Sequence, residues 1–395
     1  MTERVLVSGA GIAGCCAAWW LQRYGYDVTV VEQAPHPRDG GYVIDFWGLG
    51  YDVAEKMGVV EQLRRRDLDV VDFQIVDDRG RKVSGIDQSA FRGLAGGRIM
   101  SLQRSALALA LYDAVKDRVT MRFGDSVNQL RNAPQGVEAQ FQSGTTEAFD
   151  LVIGADGLHS TVRRLVFGQE SRFENFLGYQ VAAFSAVGYP HRNPHVYVTY
   201  GEPGRQIWRI TLGNDLAVFL LVFADSDAAA RPAHDVAAQK DFLRKHYAGG
   251  GWETGEMLAA LAVTTDLYVD RVSQIHMPHW TSGRVALVGD ACACPSLLAG
   301  EGSAMAMAEA YTVAGELHAA GGDYGRGFQA YEDRIRPYVE RKQKGARSFA
   351  SSFVPRTALG LWVRNVTINA MGQLGLTRLL FGAQFADPIT LKTYQ

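Results

Sequence analysis

Apolar residues fall in short runs along the chain, and the runs change period as they proceed. Residues 4–8, RVLVS, are a compact apolar run that predicts a strand. GAGIAG follows, then the helical run CCAAWWLQRYG, then a second strand, DVTVVE, at 27–32. Strand, glycine turn, helix and strand in that order read as the opening of a βαβ unit. Residues 40–100 mix a helix, YDVAEKMGVVEQLRRR, with the strand-like pieces VDFQIVDDRG and KVSGID. Residues 103–116, QRSALALALYDAVK, predict a further helix, and alternating runs at 120–123, 136–142 and 149–153 end in LVIGADGLHS.

From about 179 to 224 the pattern changes. YQVAAFSAVGY, HVYVTYG, RQIWRITL and LAVFLLVFA are rich in Val, Tyr, Phe and Thr and are separated by Pro, Gly and Asn turns. That pattern predicts an antiparallel sheet. A helical region broken at Gly249–Gly251 comes next, RVALVGDA (284–291) returns to the α/β style, and 326–385 reads as mostly helical with a break at Pro355. There is no internal repeat and no low-complexity linker. The fold class is α/β: a Rossmann-like nucleotide-binding domain interrupted by an antiparallel β-sheet insertion, with a helical C-terminal segment across both.

Composition narrows the class without changing the picture. The chain has 395 residues, 47% hydrophobic and 21% charged, with a formal net charge of −2. It can bury a sizeable core, and its charge gives no reason to expect nucleic-acid or acidic-membrane binding. The tight basic cluster Arg64–Arg66 reads as a solvated helix face. The four cysteines, Cys15, Cys16, Cys292 and Cys294, are spaced poorly for disulfides and lack partners at zinc-ligand offsets, so no metal is expected. Reduced thiols point to a cytoplasmic protein. The run at 4–8 reads as a strand so near the first residue that no signal peptide is expected. No stretch approaches the roughly 20 apolar residues of a membrane span.

Three motifs carry chemistry. The first is Gly9-x-Gly11-x-x-Gly14, with Glu32 18 residues after Gly14. Gly9 permits the tight turn, Gly11 lets backbone approach a pyrophosphate, and Gly14 lets helix pack on strand. The helix N-terminus offers free N–H groups to phosphates, and Glu32 stands where a carboxylate accepts from ribose hydroxyls. This motif alone does not choose between NAD and FAD. The second motif is GADGLHSTVR, Gly154–Arg163. The third is GRVALVGDACACPSLLAGEG, in which Asp290 closes a strand and small residues lead into the helical run SAMAMAEAYTVAGEL. Taken alone, Asp290 could be no more than a helix cap.

Together the three motifs, with Arg104 in RSAL, resemble the single-component class A FAD-dependent monooxygenases of the para-hydroxybenzoate hydroxylase type. The resemblance covers almost the whole chain. The stretch GGYVID and the C-terminal layout are most similar to the tetracycline-inactivating and polyketide- or antibiotic-modifying members. It implies an FAD-binding domain at 1–72, 98–172 and 270–340, a substrate-binding β-rich domain at 73–97 and 173–269, and a C-terminal helical segment at 341–395. It also implies that Gly9, Gly11, Ala13, Gly14 and Glu32 hold the adenosine half of FAD, that Arg104 faces the pyrophosphate region, and that Asp290 binds the ribityl chain. Asp156 would support FAD and NADPH use, and Asp45 would lie where the chain passes the isoalloxazine. The backbone of Gly300, Glu301, Gly302, Ser303 and Ala304 would face the flavin pyrimidine edge.

The implied activity is NADPH or NADH reduction of FAD, followed by transfer of one atom of O2 through a C4a-hydroperoxyflavin to an aromatic or polyketide-like small molecule. With no second GxGxxG, the nicotinamide would bind transiently; Arg38 is either a phosphate contact for it or a surface-loop arginine. Leu297 and Leu298 would face the substrate, and Trp208 and Phe219 are either pocket or ordinary core. No catalytic base is legible, nor is the oligomeric state.

The third motif departs from the family pattern. The family's His is Ala293, its paired prolines are Ser296 and Leu297, and its Gln is Glu301. A carboxylate at the flavin would oppose reduced-flavin charge, so the Glu301 side chain is expected to turn away. Other readings remain: another flavin oxidoreductase on the same scaffold, of oxidase or Baeyer–Villiger type, or a non-catalytic flavin- or ligand-binding protein. The halogenase stretch WxWxIP is absent.

Overall fold

The computed structural model describes residues 2–37, 40–87, 92–93, 95–190, 192–213, 215–225, 235–373 and 389–394. A six-stranded sheet runs in the order Thr281–Ser282, Val285–Leu287, Leu151–Gly154, Arg4–Ser8, Asp27–Glu32, Thr120–Phe123. Every neighbouring pair in it is parallel except the first. The register places Ser8 beside Gly154 and Val31, and Gly154 beside Leu287. The loops carrying all three motifs therefore leave the same sheet edge.

The helix Ile12–Arg23 is buried from Ile12 through Leu21. It lies between the sheet and a second buried helix, Gly302–Ala320. Both are rich in Ala, Gly and other small residues, which lets the backbones approach closely, and Trp20 meets Tyr311 edge-on at 4.7 Å.

The seven-stranded sheet has the order Leu267–Ile275, Glu174–Val187, Leu216–Ala224, Arg205–Leu212, Val196–Glu202, Asp72–Val76, Lys82–Asp87. It is antiparallel except where Val196–Glu202 pairs with Asp72–Val76. The edge strand Leu267–Ile275 stays paired as far as Ile275, opposite Glu174. Side chains alternate between two faces. One face packs under the helices Val236–Tyr247 and Thr254–Val263, with Phe184, Phe219, Leu221 and Phe223 against Leu243, Tyr247, Met257 and Leu261. The other carries Val181, Val222 and Val272, which pack with Leu298 and Val354.

This alternation decides between the two readings left open for Phe219. Phe219 is fully buried on the helix-covered face, stacked on Phe184 at 5.2 Å. It is core and is turned away from the face that meets Leu298.

The helix Tyr324–Phe353 ends before Pro355, and a further helix, Ala358–Gln373, follows. Pro337 lies inside the long helix without ending it. Gln343 on this helix donates to the carbonyls of Ile275 (2.7 Å) and Cys294 (3.0 Å), and Gln274 donates back to Gln343 and to Pro295. The long helix thus pins the third-motif loop to the edge strand Leu267–Ile275 of the large sheet. Among the described residues no helix is long and apolar enough to cross a membrane.

Because Phe219 is interior packing, Phe219→Ala is expected to lower unfolding stability by about 3–5 kcal/mol. Urea unfolding of the flavin-free protein measures this; a loss under about 1 kcal/mol would place the ring outside the core.

Candidate functional site

The first motif is built by close backbone approach. Gly9 has φ +104°, its N–H donates to Val31 O at 2.7 Å, and a Cβ there would lie 2.5 Å from Ala155 O. A Cβ on Gly14 would lie 1.8 Å from Gly9 O. Gly11 differs: a Cβ there would meet nothing within 4 Å. The helix that begins at Ile12 has no side-chain cap and no acid in its first turn. Open ground over uncapped N–H groups suits a pyrophosphate.

Both Glu32 oxygens accept backbone N–H groups, from Ala10 and Ala34, each at 2.9 Å. These bonds fix the carboxylate at the strand end beside the turn, and each oxygen keeps a lone pair for a ribose hydroxyl. Ala13 lies against Gly289, where a Cβ would be only 3.1 Å from the Ala13 Cβ. First and third motifs therefore touch.

In the second motif the Asp156 carboxylate accepts from Ser160 Oγ and from Val162 N at 2.9 Å. It closes the start of the helix Thr161–Val166, whose cap is Ser160. Arg163 is fully buried. Its guanidinium donates to Leu158 O, to Glu170 and, at 2.9 Å, to Ala291 O. Asp156 and Arg163 thus shape and join the second and third motifs.

In the third motif Gly289 has φ +65° and Asp290 is half-buried. Burial pushes the Asp290 carboxyl up, opposed chiefly by the Arg104 guanidinium nearby. Arg104 itself is exposed at the start of the helix Arg104–Val115, so a cation and a carboxylate flank the same edge. Beneath the turn lies Glu309, which sequence reasoning missed. It is wholly buried and accepts from Gly289 N (2.5 Å) and Cys292 Sγ (3.2 Å). Its Oε1 has no hydrogen-bond partner, and burial pushes its carboxyl up to about 7. The signal was there: Glu309 is the lone charge in the small, apolar run 302–315.

The loop beyond follows its own path. Ser296 has φ +91°, and its Oγ accepts from Leu298 N at 3.2 Å. Proline, fixed near φ −65°, cannot adopt that backbone, so this loop course requires a residue other than proline at position 296. Leu297 is half-buried and Leu298 buried, both against the large sheet. Gly300 is exposed, Gly302 and Ser303 are half-buried and Ala304 is buried, and the helix starting at Gly302 has no side-chain cap. The Glu301 carboxylate pairs with Lys342 at 2.9 Å, a partner the sequence did not reveal.

Asp45 lies opposite Ser101 in a two-stranded ribbon. It accepts from Ser101 Oγ at 2.5 Å and Tyr197 OH at 3.5 Å; burial raises its carboxyl, and these hydrogen bonds oppose the rise. Tyr197 touches Trp208, which stacks on Phe353 at 5.1 Å and meets Phe73 at 5.0 Å. The structure thus joins Asp45 to the Trp208 cluster. Arg38 lies outside the described residues.

The residues fit a flavin adenine dinucleotide. An open glycine turn, a fixed acid for ribose, and a second uncapped helix beside Asp290 meet at one sheet edge. Such an edge suits the dinucleotide of an FAD-dependent oxidoreductase. The FAD binding domain family model matches residues 2–343, and the chain belongs to that family. An uncharacterized protein of Mycobacterium tuberculosis is 38% identical over 342 residues, 86% of this chain and 92% of that one. A flavin-dependent monooxygenase of Legionella longbeachae is 32% identical over 352 residues, 89% of this chain and 90% of its own. The crystal structure of tetracycline destructase Tet(51) matches with a TM-score of 0.84 at 32% identity and covers 100% of both chains. The chain is an FAD-dependent monooxygenase.

Glu309 generates a pH prediction. Its folded value, about 7, lies above its ordinary 4.5, so the native state holds this proton more tightly than the unfolded chain does. The resulting stabilisation is complete below pH 4.5 and is lost as pH rises to about 7. Relative to wild type, Glu309→Gln should gain about 3 kcal/mol between pH 4.5 and 8. Urea unfolding of both proteins across that range checks it; parallel pH profiles would contradict it.

Proposed function

We propose that this monooxygenase uses NADPH or NADH and O2 to oxygenate a polycyclic aromatic or polyketide-like small molecule. The substrate is held between the third-motif loop and the large sheet. The observation that carries this is the apolar cluster at the loop: Leu297 and Leu298 pack with Tyr179, Val181, Val222 and Val272, with Phe353 at the end of the long helix and Val354 just beyond it. Beside it lies the cluster of Phe73, Tyr197, Trp208 and Phe353. Flat rings suit flat substrates, and the likeness to proteins named tetracycline destructases supports that class.

FAD, when bound, supplies electron transfer from the nicotinamide and activation of oxygen. This chain's residues supply binding and environment. Glu32 takes the adenosine ribose, and the Gly11 turn with Arg104 takes the phosphates. Asp290 takes the ribityl chain, and the backbone of residues 300–304 takes the pyrimidine edge, where uncapped N–H groups favour negative charge. The leucines and aromatic rings exclude water from the reacting edge. The β-rich segments 73–97 and 173–269 form the substrate side in this reading, and the rest, up to 340, forms the FAD side. Four buried free thiols fit a reducing, cytoplasmic setting.

The test is a screen of polycyclic phenols with NADPH or NADH under 18O2, followed by mass spectrometry. The expected result is substrate-dependent nicotinamide oxidation and a product that gains one labelled oxygen. Hydrogen peroxide released with no labelled product from any substrate would favour the oxidase reading.

A further inference from the structure

We propose, on the reading that residues 300–304 face the flavin, that Lys342 is a positioning residue that neutralises Glu301 and so sets the charge felt at the pyrimidine edge. Lys342 Nζ lies 2.9 Å from the Glu301 carboxylate, and their side chains are only 10% and 5% exposed. Glu301 stands immediately before the helix Gly302–Ala320, and its carbonyl accepts from Met305 N at 3.0 Å. Its carboxylate does not cap that helix. It leaves the loop and meets the long helix Tyr324–Phe353 instead.

The next residue on the long helix, Gln343, holds the Cys294 carbonyl at 3.0 Å. Consecutive residues of one helix therefore grip both ends of the loop 294–301. The Tyr338 ring, one turn back, lies 5.5 Å from Lys342 Nζ and adds a second favourable contact for the cation.

The electrostatic consequence has a definite sign. Reduction concentrates negative charge on the pyrimidine side of a flavin, and a nearby buried carboxylate opposes it. With Lys342 in place the pair is neutral. Lys342→Met removes one positive charge and disfavours reduced flavin. Glu301→Gln removes one negative charge and favours it. The double variant restores the net charge and returns toward wild type. A contact that only braced the loop would weaken both redox states together and would not give shifts of opposite sign.

The experiment is spectroelectrochemistry of the FAD-loaded wild type, both single variants and the double variant. Thermal melts of the flavin-free proteins are run alongside to report folding. The expected result is a potential lowered in Lys342→Met and raised in Glu301→Gln, each by at least tenfold in the ratio of reduced- to oxidised-flavin affinity. Tenfold is about 30 mV for a two-electron couple. Shifts of the same sign, or no shift in either single variant, overturn the proposal. If Lys342→Met does not fold, Glu301→Gln decides alone: a raised potential supports the pair, and an unchanged or lowered one overturns it. Failure of the underlying reading is seen separately, as a wild-type protein that takes up no FAD.

Discussion

The structure depends on how closely backbone can approach backbone at one edge of the six-stranded sheet. A Cβ at Gly9 would lie 2.5 Å from Ala155 O, and one at Gly14 would lie 1.8 Å from Gly9 O. Gly289 is tight rather than closed: a Cβ there would lie 3.1 Å from the Ala13 Cβ and 3.3 Å from the Ala306 Cβ. Parallel pairing brings these three turns together, because Ser8, Gly154 and Leu287 are register neighbours. Only residues without large side chains can occupy the junction. Gly11 is the exception that gives the junction its use: it faces open space where its neighbours face protein.

Around that junction buried charges do structural work, each through specific partners. Arg163 reaches from the second motif to the Ala291 carbonyl of the third. Glu309 holds Gly289 from below. Lys342 answers Glu301 from the long helix. Removing one member of such a set leaves the other buried without its partner, which is costlier than never having placed either. The same long helix carries Gln343, so the third-motif loop, the large-sheet strand ending at Ile275 and the long helix are bound into one unit.

Much of this was legible in the sequence, for identifiable reasons. The glycine fingerprint, Glu32 and the strand Val285–Leu287 that leads to Asp290 were readable because backbone geometry restricts the residues that can build them. The two-sheet division was readable from the change in period near residue 179. The face of a strand was not. Alternation says that Phe219 and Leu220 point opposite ways, but only the packed helices show that Phe219 is covered and that Leu220 shares the Leu298 side. Likewise Arg163 and Arg164 are adjacent in sequence, yet one is buried and the other exposed. Lys342 is one of many charges on a long helix, and its role depends on a loop 41 residues away. The Ser296 backbone was hidden because serine gives no local cue for φ +91°.

In the proposed function a rigid dinucleotide edge is joined to an apolar wall on a separate sheet. There the edge would fix where electrons arrive, and the wall what can sit beside them. The central claim is that this edge recognises both halves of FAD, with adenosine at Glu32 and the ribityl chain at Asp290. Titrating the flavin-free protein with FAD and with FMN, followed by fluorescence, tests it directly. FMN lacks the adenosine that Glu32 would hold and one of the two phosphates at the Gly11 turn, so FAD should bind at least a hundredfold more tightly, about 2.7 kcal/mol. Equal affinity for the two flavins would contradict the account.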